Sequence, residues 1–423
     1  MLRFFYDFVL LLYTLINLPK FAWESIRFRK HRKSFLEKLG FNLPVFTLPH
    51  NRQRIWVHSI SMGETKAVAP LVEQIRQQMP QASIVISTTT ETGLAEAKRS
   101  MPELDHYFFL PLDFSWTMRK LTNRIKPDLL ILVESDFWYN LISYNKKVVL
   151  VNGKISETSQ SRFKFFSFFT KRLFSRFDLL CLQSQRFASR FETLGVSPSK
   201  IVVTGNLKFD QPFPHLDLER WRSDLGIRSS DKVITLGSTH DPEEDQLISA
   251  IEPLFDQFHN LKILLVPRHP ERFFTVAALL DKKKIHYAKF SDHLPKQGNE
   301  RIILIDAMGV LSACYRLSDI AIVGGSYVTR VGGHNIFEPA ALGIPVLFGP
   351  HMDTQRDLVD VVVHGGAGKQ VPLSSLTSTL EQMLKTPPQE MKKAGLKLAE
   401  EVQGATERTW KSLQRTYPHI LNN

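Results

Sequence analysis

The sequence predicts two doubly wound α/β domains in series, and three observations carry that expectation. Twelve short apolar runs alternate with longer stretches of helical spacing from residue 55 onward. The runs are continuously apolar rather than alternating, the pattern of parallel strands buried on both faces. The rhythm breaks once, over a polar stretch at about 207–222 containing Pro212 and Pro214, and then resumes. At ~150 residues per domain, 423 residues leave room for two or three such units.

The first set of strand-like runs is IWVHSI (55–60), SIVIST (83–88), HYFFL (106–110), DLLILVE (128–134), KVVLVNG (147–153), LLCLQS (179–184) and IVVTGN (201–206). The second is KVITLGST (232–239), KILLVPR (262–268), RIILID (301–306), DIAIVGG (319–325) and PVLFG (345–349). The segments between have the length for crossover helices, and the chain ends in helices only. The division is therefore 1–40 for an amino-terminal segment, 41–210 for the first α/β domain and 211–423 for the second, with the terminal helices. Ligands of such sheets bind beyond the carboxyl ends of the strands, so residues at strand ends are the candidates. Two domains facing each other would form the site in the cleft between them.

The amino-terminal segment is a candidate membrane anchor. Its uncharged run from Phe8 to Pro19 is 12 residues long, against the ~20 of a clean spanning helix. Counting from Phe4 to Trp23 extends it, with Asp7 and Lys20 inside. No small-residue cleavage site follows, which favours a retained anchor over a removable signal. Residues 1–40 hold eight Lys/Arg against three acids, mostly in SIRFRKHRKSFLEK, so the flank and all that follows should be cytoplasmic. The other reading is a buried amphipathic first helix. Residues 161–177, SRFKFFSFFTKRLFSRF, carry seven Phe and five Lys/Arg and no acid. They read equally as an interfacial helix or as a core helix with solvated cations.

The formal charge of +12 calls for an anionic partner: nucleic acid, an anionic membrane surface or a phosphorylated substrate. Two cysteines, Cys181 and Cys314, exclude a disulfide framework and a thiolate-rich zinc site. There is no P-loop, no G-x-G-x-x-G at the first βα turn and no D-x-D pair for a nucleotide-bound metal. His58, His240, His269, His334 and His351 lack zinc spacing.

Glu64 follows the first strand and stands at a helix start, where it could take a proton from an acceptor hydroxyl. Ser61-Met62-Gly63-Glu64 is equally an S-x-x-E capping box. Glu134 ends a buried strand and could orient a base, hold a hydroxyl or cap the next helix. Lys208, in GNLKFD, could neutralise charge developing on a leaving group, or be a plain surface lysine. In VPRHPER, Arg268 and His269 stand at a strand end, where a guanidinium suits phosphate or carboxylate. In GGSYVTRVGGHNIFEPAALGIPVLFGP (324–350), two glycine pairs flank Arg330, and His334-Asn335 opens a helix containing Glu338. Such a loop is either an anion site at a helix terminus, with Glu338 on a ribose diol, or a tight turn that needs glycine.

These segments together resemble the bacterial Kdo transferases, which move 3-deoxy-D-manno-octulosonic acid (Kdo) from CMP-Kdo onto a lipid A precursor. The resemblance runs essentially end to end: the anchor and basic flank, WVHSISMGE, VESDFWYNLI, LVNGKIS, GNLKFD, VPRHPER and the block from GGHN to FGPH. It implies a GT-B fold, with two Rossmann-like domains facing a central cleft behind a membrane-anchor helix. It also implies inverting transfer with no metal and no cofactor. Glu64 falls on the family's general base, and Glu134 and Lys208 on its transition-state stabilisers. The CMP contacts fall on Arg268, His269, Met308, Gly309, Val310, Leu311, Asn335, Ile336, Phe337 and Glu338. Where members commonly read MGEL this chain has Met308-Gly309-Val310-Leu311, so the contact implied at Val310 is a backbone one. ESDFWYN stands for the commoner ETELWPN, with Tyr139 in place of proline.

The implied partners are CMP-Kdo, a lipid A precursor and inner-membrane lipids, with no nucleic acid. The implied location is the bacterial inner membrane, catalytic domains on the cytoplasmic side. The number of Kdo units added stays open. Other readings are a membrane-associated enzyme of the same fold using another nucleotide sugar, a basic nucleic-acid-binding protein, and an inactive tethering protein.

Overall fold

A computed structural model describes residues 2–27, 37, 40, 43–49, 51–210, 216–292 and 298–421. The chain divides into two compact units, residues 1–212 with 402–423, and residues 213–401. Each is built on a seven-stranded, wholly parallel sheet.

The first sheet uses β1 (Arg54–Ser59), β2 (Ser83–Thr88), β3 (His106–Phe109), β4 (Leu129–Val133), β5 (Val148–Gly153), β6 (Leu179–Leu182) and β7 (Ile201–Val203). Their order is β3-β2-β1-β4-β5-β6-β7. The chain winds outward from β1 on one side, then returns to start again at β4, so the switch point lies between β1 and β4. Successive side chains feed opposite layers: Ile55 and Val57 enter one core, Trp56 the other. All three are fully buried, which is why these strands read as continuous apolar runs.

The second sheet uses β8 (Lys232–Thr239), β9 (Leu261–Pro267), β10 (Tyr287–Lys289), β11 (Ile302–Leu304), β12 (Ile320–Val323), β13 (Val346–Phe348) and β14 (Gly368–Gln370). Its order, β10-β11-β9-β8-β12-β13-β14, puts the switch point between β8 and β12. All twelve expected strands form. The two missed ones, β10 and β14, are three-residue edge strands with partly exposed residues, so they carry no apolar run to read.

The structure corrects one expectation and narrows two others. The terminal helices do not all belong to the second unit. Helix Ala405–Thr416 places Ala405, Trp410 and Leu413 in the core of the first sheet, packed with Val68 and Leu71 of the helix after β1. An amphipathic helix shows that it has a buried face, not which sheet covers it.

The amino-terminal helix, Leu2–Arg27, is not long and apolar enough to cross a membrane, nor is any other described helix. Asp7, which interrupts its apolar run, is buried and tied to the first unit. Its Oδ1 accepts hydrogen bonds from the Ser115 amide at 3.0 Å and the Asn140 side chain at 2.9 Å. Tyr6 packs against Tyr139 and Phe169, so the first turns of this helix dock on the domain. The outer face stays apolar, with Phe4, Phe5, Phe8, Tyr13 and Ile16 exposed. Most of the basic flank lies outside the described residues.

Residues 161–177 are not one helix. They break at Phe166 into Glu157–Phe165 and Ser167–Phe174. Phe174 and Phe177 are core, while Phe165, Phe166 and Phe168 stand exposed. Nearby, a cavity of about 410 Å³ is lined by Tyr139, Arg172, Ser175 and Arg176.

Candidate active site

Serine before a helix start and glutamate three residues on form a reciprocal cap, and the structure contains it. The Ser61 hydroxyl accepts from the Glu64 amide at 3.3 Å, and Glu64 Oε2 accepts from the Ser61 amide at 3.3 Å and the Ile60 amide at 2.6 Å. Both bonds fall on Oε2, which leaves Oε1 for another partner. Burial pushes the Glu64 pKa up, and the negative charges of Glu134 and Asp136 push it further, against the two amides. A carboxylate with a raised pKa at a switch point is equipped to take a proton.

Glu134 leaves β4 with φ of 64°, a conformation that costs a non-glycine residue and is held by its surroundings. Its two oxygens are divided between two cations. Lys208 Nζ lies 2.8 Å from Oε1 and Lys154 Nζ lies 2.6 Å from Oε2. Burial raises the Glu134 pKa, but the two ammonium groups outweigh it and hold the carboxyl below its ordinary range. The trio therefore carries one net positive charge.

Asn152, on β5 with φ of 53°, ties this trio together. Its side-chain amide donates to Glu134 Oε1 at 3.3 Å, and its Oδ1 accepts from the Leu207 amide at 3.0 Å, beside Lys208. The turn carrying Lys208, Leu207–Asp210, is held from the other end of the chain. Asp210 accepts from the Gly404 and Thr406 amides at 2.8 and 2.5 Å. Behind Glu134, buried His58 joins Ser87 to Asp136: its Nδ1 meets the Ser87 hydroxyl at 2.8 Å and its Nε2 meets Asp136. Glu64, Glu134, Lys154 and Lys208 thus gather beyond the carboxyl ends of β1, β4, β5 and β7.

The second unit collects its candidates beyond β8, β9, β11 and β12. Arg268 and His269 follow β9; the Arg268 amide donates to the Thr239 carbonyl at 3.0 Å, while its guanidinium has no partner among the described residues. Arg272, one turn on, is already matched by Asp241 at 3.2 Å and Glu244 at 2.9 Å. Met308 is exposed and Gly309 has φ of 84° with open space around it. Val310 is partly buried and packs against the apolar cluster that includes Val233, Leu264 and Ile303.

The glycine-rich loop differs from the expected anion site. The helix it feeds, Phe337–Ala341, is a single turn. Its leading amides, Phe337 and Glu338, already donate to Asn335 Oδ1 at 3.0 and 3.3 Å. Ile336 and Phe337 are core residues whose side chains cannot reach a nucleotide. The loop is shaped by close approach: a Cβ on Gly324 would meet the Ser238 carbonyl at 2.7 Å. Glu243, fully buried, fastens the two switch-point loops by accepting from the amides of His240 (2.9 Å), Gly325 (2.7 Å) and Tyr327 (2.8 Å).

Sequence reading singled out Glu64, Glu134 and Lys208, and the structure brings all three to one sheet edge. It passed over Lys154, Asn152 and Glu243, and weighed His240 only as a zinc ligand. Lys154 directly follows a strand end, the position that should have flagged it. Glu243 gave no signal of its loop-fastening role, because two of its three backbone partners are 82 and 84 residues away.

The profile described as 3-Deoxy-D-manno-octulosonic-acid transferase (kdotransferase) matches residues 33–211. The 3-deoxy-D-manno-octulosonic acid transferase of Chlamydophila psittaci is 33% identical over 427 residues, covering 99% of this chain and 97% of that protein. The protein of the same description from Haemophilus influenzae is 34% identical over 83% of each. A crystal structure of UDP-GlcNAc 2-epimerase from Neisseria meningitidis bound to UDP-GlcNAc is similar with a TM-score of 0.60 and 13% identity, over 86% of this chain and all of that one. That likeness is one of fold, two parallel α/β sheets of the GT-B-like kind. The full-length relatives carry more: this chain belongs to the 3-deoxy-D-manno-octulosonic acid transferase family, and it is a glycosyltransferase.

Proposed function

We propose that the chain transfers Kdo from CMP-Kdo to lipid IVA, a lipid A precursor, by metal-independent inverting transfer in lipopolysaccharide inner-core biosynthesis. The observation that carries this reading is the pairing of opposite settings at one sheet edge. Glu64 has a raised pKa beside a Lys154–Glu134–Lys208 trio whose carboxylate stays ionised. Glu64 Oε1 removes the proton from an acceptor sugar hydroxyl, and the oxygen attacks the anomeric carbon of Kdo from the face opposite the phosphate. The bond from that carbon to the phosphate oxygen breaks, and its electron pair leaves with CMP. The net positive charge of the trio supports negative charge on the substrates, and Arg268, whose guanidinium has no hydrogen-bond partner among the described residues, is a cation suited to the CMP phosphate.

An amphiphilic acceptor requires an enzyme at a surface. The exposed rings of Phe4, Phe5, Phe8, Phe165, Phe166 and Phe168, with Arg172 and Arg176 nearby, support attachment to the cytoplasmic face of the inner membrane. The test is release of CMP from CMP-Kdo in the presence and absence of lipid IVA. Release that depends on lipid IVA and is inhibited by added CMP but not by UDP or ADP is the expected result. Inhibition by UDP or ADP in place of CMP overturns the donor assignment.

A further inference from the structure

His240 follows β8 and His334 follows the glycine loop after β12, on either side of the switch point of the second sheet. Their Nε2 atoms are 2.7 Å apart. The ring planes are inclined by only 15° and the centroids lie 5.0 Å apart. A centroid separation so much longer than the nitrogen contact means that the rings meet end to end, nearly coplanar, rather than face to face. That is the arrangement of an N–H···N hydrogen bond, which allows one proton and only one between the two Nε2 atoms.

The pair is therefore built of one donor and one acceptor imidazole. Neither Nδ1 is hydrogen-bonded to another group among the described residues, and both residues are half-buried. A further proton has a place to go: the donor ring takes it at its free Nδ1, and the N–H···N bond survives as imidazolium to imidazole. A second extra proton would put charge on both rings at 2.7 Å, so the pair holds one positive charge at most.

The surrounding charges keep it neutral without ligand. Burial comes first; then His269, whose ring stands edge-on to His240 at 5.2 Å, with Arg268 and Arg272 lowers His240, and His240, Arg268 and His269 lower His334, so both stay well below the usual range. The acids offer little relief. Glu243 is spent on three backbone amides, while Glu244 and Asp241 face Arg272. An anion between Arg268 and the pair would reverse that balance. The short helix beside them cannot hold it, since Asn335 already occupies the leading amides.

We infer that the His240–His334 pair is a further phosphate site of the donor pocket, which takes up one proton from solvent as the nucleotide phosphate binds. The charge then faces a phosphate that gains one negative charge as its bond to the sugar breaks. This rests on the CMP-sugar reading above.

Isothermal titration of the full chain with CMP, in buffers of different ionisation heat at pH 7.5, measures the proton taken up. Cytidine is the control without phosphate. Wild type is compared with His240→Asn and His334→Asn, so that ionisation of CMP itself cancels. Wild type should absorb more protons on binding CMP than either variant and none on binding cytidine. Its log Kd should rise with pH more steeply than theirs, by up to one unit per pH unit. Nitrogen NMR of wild-type histidines covers the case of unfolded variants: imidazolium signals should appear with CMP and not with cytidine. CMP binding with equal proton uptake in all three proteins, or with no imidazolium signal, overturns the pair's role and leaves the donor reading intact. No CMP binding, with UDP bound instead, overturns the donor reading, and the same titrations with UDP then decide the pair.

Discussion

Glu64 uses its two oxygens differently, and this separates its two roles experimentally. Glutamine keeps an oxygen that can accept the Ile60 and Ser61 amides but cannot take a proton. Glu64→Gln should therefore fold and melt like wild type while kcat falls by about 10²–10⁴, the ordinary worth of a general base. Because the Glu64 pKa is raised, by burial first, the proposed base is ionised only above its own pKa. Activity should rise with pH along a limb displaced above the usual carboxylate range, and that limb should vanish in the variant. Removing one cation of the trio tests the other half of the site: Lys154→Met should lower kcat by about 10²–10³, as loss of one electrostatic stabiliser does. An unchanged kcat would return Lys154 to a surface role. Sequence showed Glu64 at a helix start and Glu134 at a strand end, but capping and base chemistry share one pattern. Only the placement of both amides on Oε2 leaves room for both.

The amino-terminal helix is where pattern and packing part. Its apolar run suggests an anchor, yet Asp7 and Tyr6 dock its first turns beside Asp113. Asp113 accepts from the Asn140 and Leu141 amides at 2.8 Å each. Burial pushes its pKa up to about 7, above the ~3.9 of an unfolded chain. The folded chain thus holds a proton that the unfolded chain releases. The resulting stability is complete below about pH 4 and is lost as pH rises through about 7, and Asp113→Asn should flatten that dependence in thermal melts. Asp7→Ala leaves the Ser115 amide and the Asn140 side chain without their acceptor, at a cost of about 1–3 kcal/mol. Hydrogen exchange should quicken first in Leu2–Arg27; unchanged exchange would mean that the helix does not depend on Asp7. The expected strands were legible because strands buried on both faces are apolar throughout. β10 and β14 were not, because edge strands are half-exposed, and the destination of Ala405–Thr416 was not, because amphipathicity names no partner.

On the scale of the whole molecule, the proposed reaction brings a water-soluble donor to a membrane-held acceptor, and in that proposal the exposed Phe165, Phe166 and Phe168 are the surface for the meeting. Replacing all three by serine should weaken binding to vesicles containing anionic lipid by at least about tenfold, since fully burying one such ring is worth ~1.5–3 kcal/mol. Activity on a detergent-dispersed acceptor should change little. Equal vesicle binding by variant and wild type would contradict a membrane role for these rings. Net charge and motif blocks pointed to the partner class, but which rings face outward depended on the break at Phe166. The most direct test of the whole account is mass spectrometry of lipid IVA incubated with CMP-Kdo and the chain, wild type beside Glu64→Gln, without added metal. Kdo-sized additions by wild type and not by the variant are the predicted result. Equal additions by both would remove Glu64 as the base, and none by folded, membrane-bound wild type would contradict the Kdo-to-lipid IVA transfer itself.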